Sequence, residues 1–480
     1  MDAWRNCVAG LAVAVAVLGA LPAQAATAAY RVRMLQQDPV RLEVTATLPV
    51  DGDALEMTRS WPGDIPEVAD AGWPGLVHGL EVRDAAGHAI PVQTRGPSGW
   101  RLAAPHSGPL QLRYEVDYAP LAAQGWPAMR EAAYGEAGTF VALGRSLFVT
   151  TPASTGARVV FELPPGWNAA TPWQEGPPGT FTVASVDDLV ENLLVLGRDP
   201  VDRVRVGDWD VSVLALGHWR PLRREILDTL DSVLDGYTRA LELGGGSRYL
   251  VVMLPAPERG GEAFRASFAM TLDVAPSAGN RAAWANLVAH ELFHRWNGWT
   301  WRGEDYASSQ WFQEGFTEYA ANLILLQRDV VPPQAFAARL GEHVGNYGRL
   351  ATPLDAPGTR KGQPLYSGGA LAAFTIDTLI REASDGQRDV WDLFRALDAR
   401  TGHGARAYAW PDLLAALQDV APGDWEGFHA RYIHGTGKLP VQDALARAGL
   451  RLSQTDAPRV DADPRAGNDA RRRWPELAEH

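Results

Sequence analysis

The sequence contains almost no cysteine, since Cys7 is the only one among 480 residues. Cys7 lies in a segment, residues 1–25, with a short basic start, an apolar run and the small-residue end Ala-Gln-Ala. This arrangement is typical of a cleaved secretory signal peptide, and a signal anchor is the alternative. The mature chain then has no thiol, which excludes disulfides, cysteine metal ligands and cysteine nucleophiles. We therefore expect an exported protein, either periplasmic or secreted.

Long apolar runs and extended basic clusters are also missing. No stretch after residue 25 is apolar over the length of a membrane-spanning helix, so we expect no stable membrane insertion once the signal has been removed. The net charge is −13, and no phosphate-binding surface of clustered Lys and Arg is evident, which argues against a nucleic-acid partner. We find no internal repeats. The oligomeric state is left open by the sequence.

A metal-binding spacing is present in the second half of the chain. His290, Glu291 and His294 follow the order H-E-x-x-H, which on a helix places the two imidazoles one turn apart on the same face. Residues 281–297 contain no Pro or Gly and carry an apolar side, which predicts a helix. Two histidines at this spacing can bind one metal ion. The alternative is a helix face whose histidines simply cap or pack.

A third ligand is required, because catalytic zinc takes three protein ligands and keeps a fourth position open. Glu314 is the candidate, since it begins a second helix-compatible segment after a gap that allows a loop and an antiparallel return. We therefore predict one zinc ion per chain, bound by His290, His294 and Glu314. Glu291 is not needed as a ligand, so we predict that it is the general base.

Glu318 follows Glu314 by one helical turn and so lies on the same face of the second predicted helix. Zinc-bound imidazoles usually donate their second N–H to a carboxylate, which fixes the tautomer and the ring orientation. We predict that Glu318 is this carboxylate. A surface salt bridge is the alternative.

The stretches HELFHRWN (290–297) and WFQEGFTEY (311–319) resemble the gluzincin metallopeptidases. Within them, Trp296 and Asn297 make the chain more similar to the glycyl-aminopeptidase-like family than to aminopeptidase N. The resemblance implies a peptide substrate with a small N-terminal residue such as Gly or Ala.

The stretch LYSGGALAAFTIDTLIRE (365–382) resembles the family segment that carries a tyrosine assisting the oxyanion. By that match the tyrosine is Tyr366. The family also has a lysine in this segment, and its position falls on Gly368 here. The role of that lysine is therefore missing or supplied elsewhere.

In ERGGEAFRASFAMTLDV (258–274) the family places a glycine-containing strand alongside the substrate, with a glutamate that grips the free amino group. By this match Gly260 and Gly261 bind substrate, but the expected glutamate falls on Ala263, and Glu262 lies one position early. One position turns a side chain to the opposite face of a strand. Either the strand has a bulge or the amine grip is lost, and a solvated Glu262 in a Gly-rich loop is the alternative.

The patterns along the chain predict an α+β multidomain protein. The expected divisions are a signal peptide (1–25), a β-rich N-terminal domain (26–201), a thermolysin-like zinc catalytic domain (202–388), a helical C-terminal domain (389–456) and a disordered tail (457–480). Many members of the family carry a peptide-binding PDZ module after this point, and we expect none here.

These features together predict an exported, zinc-dependent aminopeptidase that acts on peptides with small N-terminal residues. Two alternatives remain. One is an endopeptidase or tripeptide-trimming enzyme with the same zinc chemistry, which is favoured if Glu262 does not reach the cleft. The other is a non-catalytic, zinc-stabilised peptide-binding envelope protein, against which the intact Glu291 argues.

Overall fold

The computed structural model describes residues 27–57, 70–127, 129–243, 246–256, 258–356, 362–453 and 458–467. The predicted signal peptide, residues 1–25, lies outside these ranges. No helix among the described residues has the length and apolarity needed to cross a membrane.

The N-terminal region is β-rich, as its alternating patterns predicted. Its strands are β1 (Ala28–Gln37), β2 (Val40–Glu56), β3 (Val77–Arg83), β4 (Val92–Thr94), β5 (Gly99–Asp117), β6 (Ala133–Glu136), β7 (Thr139–Leu143), β8 (Ala157–Glu162), β9 (Asn168–Ala170), β10 (Gln174–Glu175), β11 (Thr180–Val183) and β12 (Leu193–Gly197). Short helices α1 (Ala119–Ala123) and α2 (Val186–Val190) connect some of them.

These strands form two sheets that share one hydrophobic core. The larger sheet has the order β10-β11-β8-β1-β2-β5-β3, with β4 also paired to β5, and the smaller has the order β6-β7-β12-β9. Strand β1 shows why they form, since its residues alternate strictly between buried and exposed from Ala28 to Leu35. The buried side chains of both sheets pack together, so this half of the chain has its own core.

A third, mixed sheet begins after residue 201. It consists of β13 (Asp202–Val206), β14 (Trp209–Ala215), β15 (Arg248–Leu254), β16 (Gly260–Ala263) and β17 (Ser267–Thr271), in the order β13-β14-β15-β17-β16. Strand β16 is therefore an edge strand, antiparallel to β17. Helices α3 (Arg223–Leu241) and α4 (Arg281–Phe293) follow β14 and β17 in the chain.

The rest of the chain is mainly helical. Its helices are α5 (Tyr306–Gln327), α6 (Pro333–Tyr347), α7 (Gln363–Ala383), α8 (Val390–Arg400), α9 (Trp410–Val420), α10 (Trp425–Phe428) and α11 (Val441–Arg447). Strands β18 (Leu450–Ser453) and β19 (Arg459–Ala462) form a final antiparallel pair.

Two sequence-based boundaries differ from the structure. One continuous hydrophobic core runs from Val206 to Val460, so the division expected at residue 388 does not separate two cores. Aromatic rings from both sides of that position are in contact, for example those of Phe293 and Phe394, whose centroids are 5.1 Å apart. The expectation of disorder from residue 457 is wrong for β19, because Arg459–Ala462 pairs with β18 and Val460 is buried.

Candidate active site

Helices α4 and α5 position the predicted metal ligands. A hydrogen-bonded turn, in which the backbone N of Ser277 donates to Asn280 Oδ1 at 2.7 Å, leads into α4. The carboxylate of Asp305 caps α5 by accepting from Ala307 N at 3.1 Å. Both helices are buried over nearly their whole circumference, which their weak amphipathic pattern reflects. Their side chains are therefore held from all sides.

Asn297 fixes the loop between the two helices. It is fully buried, and its Nδ2 donates to the carbonyl oxygens of Phe312 and Gln313 at 3.1 Å each and lies 3.2 Å from Thr317 Oγ1. These contacts tie the end of α4 to α5 at the level of Glu314. The sequence indicated Asn297 only as a family marker, because its partners lie on a separate helix.

Three ligand atoms converge between α4 and α5. His290 Nε2 and His294 Nε2 are 3.1 Å apart, and Glu314 Oε2 lies 3.5 Å from the first and 3.4 Å from the second. Ligands about 2.0–2.1 Å from a tetrahedral zinc ion are separated by about 3.3 Å. The observed triangle therefore has the size of a zinc site. It is the one group of three such side chains found among the described residues.

The outer nitrogen of each imidazole has an acceptor. His294 Nδ1 donates to the carbonyl oxygen of Asn297 at 2.9 Å, and His290 Nδ1 donates to Glu318 Oε2 at 3.1 Å. A carbonyl oxygen only accepts, so the proton of a neutral His294 lies on Nδ1. Two neutral imidazoles in this tautomer direct their Nε2 lone pairs at each other, which is unfavourable without a cation between them. The donor set thus fits a divalent metal.

The charges around the triangle also favour a cation. Burial lowers the pKa of His290, but its hydrogen bonds with Glu314 and Glu318 outweigh this and raise the pKa to about 10. Burial likewise opposes ionisation of Glu314, yet the two imidazoles hold the pKa of its carboxyl well below the usual range. The centre between these side chains therefore binds a proton or a metal ion strongly.

Glu318 is held by a second set of buried contacts, and it is not a surface salt bridge. Its Oε1 accepts from Arg339 Nε at 2.9 Å and from Asn322 Nδ2 at 3.0 Å. His343, which contacts Ser367 through Nδ1, places Nε2 3.4 Å from the same oxygen. Against the effect of burial, Arg339 and the imidazole of His290 hold the pKa of Glu318 well below its usual range. Glu318 therefore stays ionised and orients His290.

Glu291 lies beside the triangle and contacts strand β16. It is 6% exposed, and a Cβ atom added to Gly261 would lie 2.0 Å from Glu291 Oε1. Position 261 must therefore be glycine for the carboxylate to occupy this place. Burial raises the pKa of Glu291, while the imidazoles and Arg130 act in the opposite direction. A carboxyl with a raised pKa is suited to take and return a proton.

Tyr366 reaches the site from α7, with its ring 6.0 Å from that of His290 and nearly parallel to it. Burial, and then the charges of Glu314 and Glu291, raise the pKa of the Tyr366 hydroxyl, which stays a proton donor. The position is possible because α5 and α7 cross at two glycines: a Cβ on Gly315 would lie 2.2 Å from the Cα of Gly369.

Gly368, where the family has a lysine, does not face the site. A Cβ atom there would lie 2.5 Å from Leu354 Cδ2 and 2.9 Å from Tyr347 Cδ2. A lysine at this position would enter the packed core, so its absence removes no contact to the triangle.

Strand β16 pairs with β17 without a register shift, from Gly260 opposite Thr271 to Ala263 opposite Phe268. The bulge that would have turned Glu262 around is therefore absent. Glu291 contacts the face of β16 on which a side chain of residue 261 would lie. Because side chains alternate across a strand, Glu262 lies on the other face. The structure thus brings Gly260, Gly261 and Glu262 to the cleft wall, but it does not direct Glu262 to the side of Glu291.

The cleft that contains these residues has a volume of about 810 Å³. Its wall includes side chains that the sequence did not single out, namely Arg130, Glu131, Arg259, Trp299, Arg302, Arg339 and His343. Arg339 and His343 are one helical turn apart on α6, a spacing that could have indicated a shared face. Arg130 and Glu131 come from the N-terminal region, and no local pattern marks them.

Two family models match the chain, one in each half. The family model described as M61 glycyl aminopeptidase matches residues 283–354, which contain the triangle. The model described as the peptidase M61 N-terminal domain matches residues 29–198. No curated protein matches the chain.

Several solved structures share the fold. An aminopeptidase N family protein from Idiomarina loihiensis is 19% identical, with 89% of this chain and 79% of that chain covered and a TM-score of 0.76. An M1 zinc metallopeptidase from Deinococcus radiodurans is 18% identical, with 86% and 94% covered and a TM-score of 0.54. A variant of the Deinococcus enzyme bound to a Tyr-Ser-Ala substrate is 17% identical, with 86% and 95% covered and the same TM-score of 0.54.

Proposed function

The chain is a relative of the gluzincin metallopeptidases with matches to both M61 family models, and from this premise we propose that it is an exported, zinc-dependent aminopeptidase. Its proposed substrates are peptides that begin with a small residue, Gly or Ala. The observation that carries the proposal is the zinc-sized triangle of His290, His294 and Glu314 with Glu291 beside it. The thermolysin-like character of the catalytic region and the export signal are parts of the same proposal.

The chemistry divides between the metal and the side chains. His290, His294 and Glu314 would hold a zinc ion, which would supply Lewis acidity for the peptide carbonyl and for a water molecule. Glu291 takes the proton from the attacking water and passes it to the leaving nitrogen. Its raised pKa supports the second transfer, because a weaker acid holds the proton until the nitrogen accepts it.

Tyr366 has the role of an oxyanion donor in this proposal. Its hydroxyl is kept protonated by burial and by the carboxylates of Glu314 and Glu291. A donor placed where negative charge develops lowers the barrier without strengthening substrate binding.

The free edge of β16 supports binding of an extended peptide. The carbonyl oxygen of Ala263 accepts from Trp299 Nε1 at 3.1 Å and so points away from β17. Because these directions alternate, the backbone groups of Gly261 point to the same free edge. A peptide can pair with Gly261 in this edge and present its scissile bond to Glu291.

The free amino group of the substrate needs an anionic partner. Outside the triangle and its neighbours Glu291 and Glu318, the carboxylates on the cleft wall are Glu131 and Glu262. We propose that the ammonium is bound by one of these two, and the description of the M61 model as a glycyl aminopeptidase supports the choice of a small first residue.

An endopeptidase or tripeptide-trimming enzyme is the second candidate. It is favoured by the orientation of Glu262, which lies on the opposite face of β16 from Gly261. A non-catalytic binding protein is the third candidate, and it leaves the buried Glu291 without a role.

A peptide panel tests the proposal. Zinc-loaded protein is assayed on peptides that begin with Gly, Ala, Leu or Phe, each with a free or an acetylated N-terminus. We expect hydrolysis of the free Gly and Ala peptides and little hydrolysis of any acetylated one. Equal rates for free and acetylated peptides identify an endopeptidase. Full zinc content without turnover of any peptide overturns the enzymatic proposal.

A further inference from the structure

One end of the cleft carries positive charge that the proposed chemistry does not use. The guanidinium of Arg130 lies over the first residue of β16, since a Cβ atom on Gly260 would lie 1.6 Å from Arg130 Nη1. Arg130 forms an ion pair with Glu258 at 3.4 Å, and the side chain of Glu258 is 61% exposed. Exposed ion pairs contribute little to stability, so a stronger anion can compete for Arg130.

A second cation lies at the same end. Arg259 immediately precedes β16, and its Nη2 lies 3.4 Å from the carbonyl oxygen of Ala283 at the start of α4. Within the described ranges, no carboxylate lies at ion-pair distance from Arg259. Burial lowers the pKa of its guanidinium, and the charge of Arg339 adds to this effect. Two arginines therefore line the cleft at its Gly260 end, and of these two Arg130 alone has an ion pair among the described residues.

The other end of β16 is closed. Trp299 Nε1 donates to the carbonyl oxygen of Ala263, so a peptide paired with the strand cannot use that oxygen. Between the two ends, Gly261 contacts Glu291. In the mechanism proposed above, the scissile bond therefore lies beside Gly261. An aminopeptidase needs room for one residue on the amino side of that bond. The closed end suits that single residue, and the leaving peptide then extends past Gly260 toward the arginines.

We propose that Arg130 and Arg259 form a binding site for the C-terminal α-carboxylate of the leaving peptide. The proposal rests on the aminopeptidase function proposed above and names its substrate class as dipeptides and tripeptides. A guanidinium binds a carboxylate with charge-assisted hydrogen bonds, which are stronger than neutral ones.

The distance along the strand sets the peptide length. An extended chain advances about 3.3 Å per residue. The Arg130 guanidinium stands over Gly260, one residue from Gly261 and on the other face of β16 from Glu291. A peptide paired with the free edge lies between these two faces, so a terminal carboxylate one or two residues after the scissile bond can turn toward Arg130. A longer leaving peptide places an uncharged peptide group at this point and gives neither arginine a charged partner from the substrate.

Kinetics with matched substrates test the site. The substrates are trialanine, trialanine amide and alanine p-nitroanilide, of which only the first has a carboxylate. We expect the kcat/KM of the zinc-loaded enzyme to be at least about tenfold higher for trialanine than for its amide. Arg130→Gln and Arg259→Gln should each reduce this ratio toward one, and the rates on the amide and the anilide report any effect on the reaction itself.

Two further variants separate charge from structure. Arg130→Lys should recover part of the preference for trialanine, since it keeps the charge without the planar guanidinium. Arg224→Gln, in an exposed side chain of α3 that is 89% accessible, is the matched control and should retain the full preference. Equal rates for trialanine and its amide in the wild type, or a parallel loss on all three substrates in Arg130→Gln, would overturn the proposal.

A binding measurement makes the test independent of turnover. Calorimetry compares dialanine with dialanine amide on zinc-loaded Glu291→Gln, in which hydrolysis is suppressed, and on the same protein that also carries Arg130→Gln. We expect the first protein to bind the acid at least about tenfold more tightly than the amide, and the second to lose this difference. Equal affinities overturn the carboxylate site. Selective binding without hydrolysis of any substrate by the wild type supports the site and contradicts the aminopeptidase function instead.

Discussion

The two walls of the cleft are built differently. On the helical wall, His290, His294 and Glu314 are each no more than 8% exposed, and both imidazoles have partners on both nitrogens. On the strand wall, β16 is an edge strand whose four residues are all partly exposed. The first wall has little freedom to adapt, whereas the second offers backbone groups and the side chains of Arg130 and Arg259. We infer that the helical wall determines the reaction and the strand wall determines the substrate.

Replacing Glu291, the proposed base on the helical wall, should have the largest effect. We expect Glu291→Gln to lower kcat by up to about 10⁴-fold for every substrate, because proton transfer is lost regardless of the peptide. Zinc content should stay at the wild-type level, since the side chain is not a ligand. Loss of metal from this variant would show that Glu291 is a ligand and not the base. The control is Glu426→Gln, at an exposed position of α10.

The next largest effect is expected at Tyr366. Tyr366→Phe should lower kcat and kcat/KM together by about 10²–10³-fold with little change in KM, because the lost hydrogen bond exists only in the transition state. Steady-state kinetics measures kcat and KM, and zinc analysis checks that the metal content is unchanged. Nearly full activity would mean that the ring only packs against His290, and a raised KM at constant kcat would indicate a substrate-binding role. Tyr432→Phe, outside the cleft, controls for loss of a hydroxyl.

A smaller effect is expected where the two walls meet. Gly261→Ala places a methyl group 2.0 Å from Glu291 Oε1, so the carboxylate must move. We expect a loss in kcat of about tenfold to a hundredfold, which is typical for a displaced catalytic group. Zinc content and thermal stability should change little.

The control for this variant is Gly279→Ala, where an added Cβ meets nothing closer than 3.7 Å. An unchanged kcat in Gly261→Ala would contradict the contact between the walls. The comparison of the two glycines therefore tests whether β16 positions the base.

The helical wall could be predicted from the sequence because its geometry is local. The spacing of His290, Glu291 and His294 determines their common face, and Glu314 and Glu318 are likewise one turn apart. The structure brings His290, His294 and Glu314 together and places Glu318 against His290, as this spacing indicated.

The strand wall was less accessible to sequence analysis, because its contacts join distant segments. Arg130 reaches Gly260 from the N-terminal region, and Trp299 reaches Ala263 from the loop after α4. Whether β16 has a bulge depends on its pairing with β17, which the residue pattern alone left open.

The expected division at residue 388 and the expected disorder after residue 456 also depended on contacts between distant segments. The polar, Pro- and Gly-broken segment after residue 456 suggested disorder, yet β19 forms because it pairs with β18 and buries Val460. Aromatic side chains of α8 complete the core around α4, so no domain division follows residue 388.

Zinc content tests the central claim most directly. Purified protein should contain about one zinc ion per chain, because His290, His294 and Glu314 supply the three ligands of a catalytic site. A chelator should remove the metal together with peptidase activity, and added zinc should restore both. Stoichiometry well below one after purification without chelators, with no activity gained on adding zinc, would contradict the account.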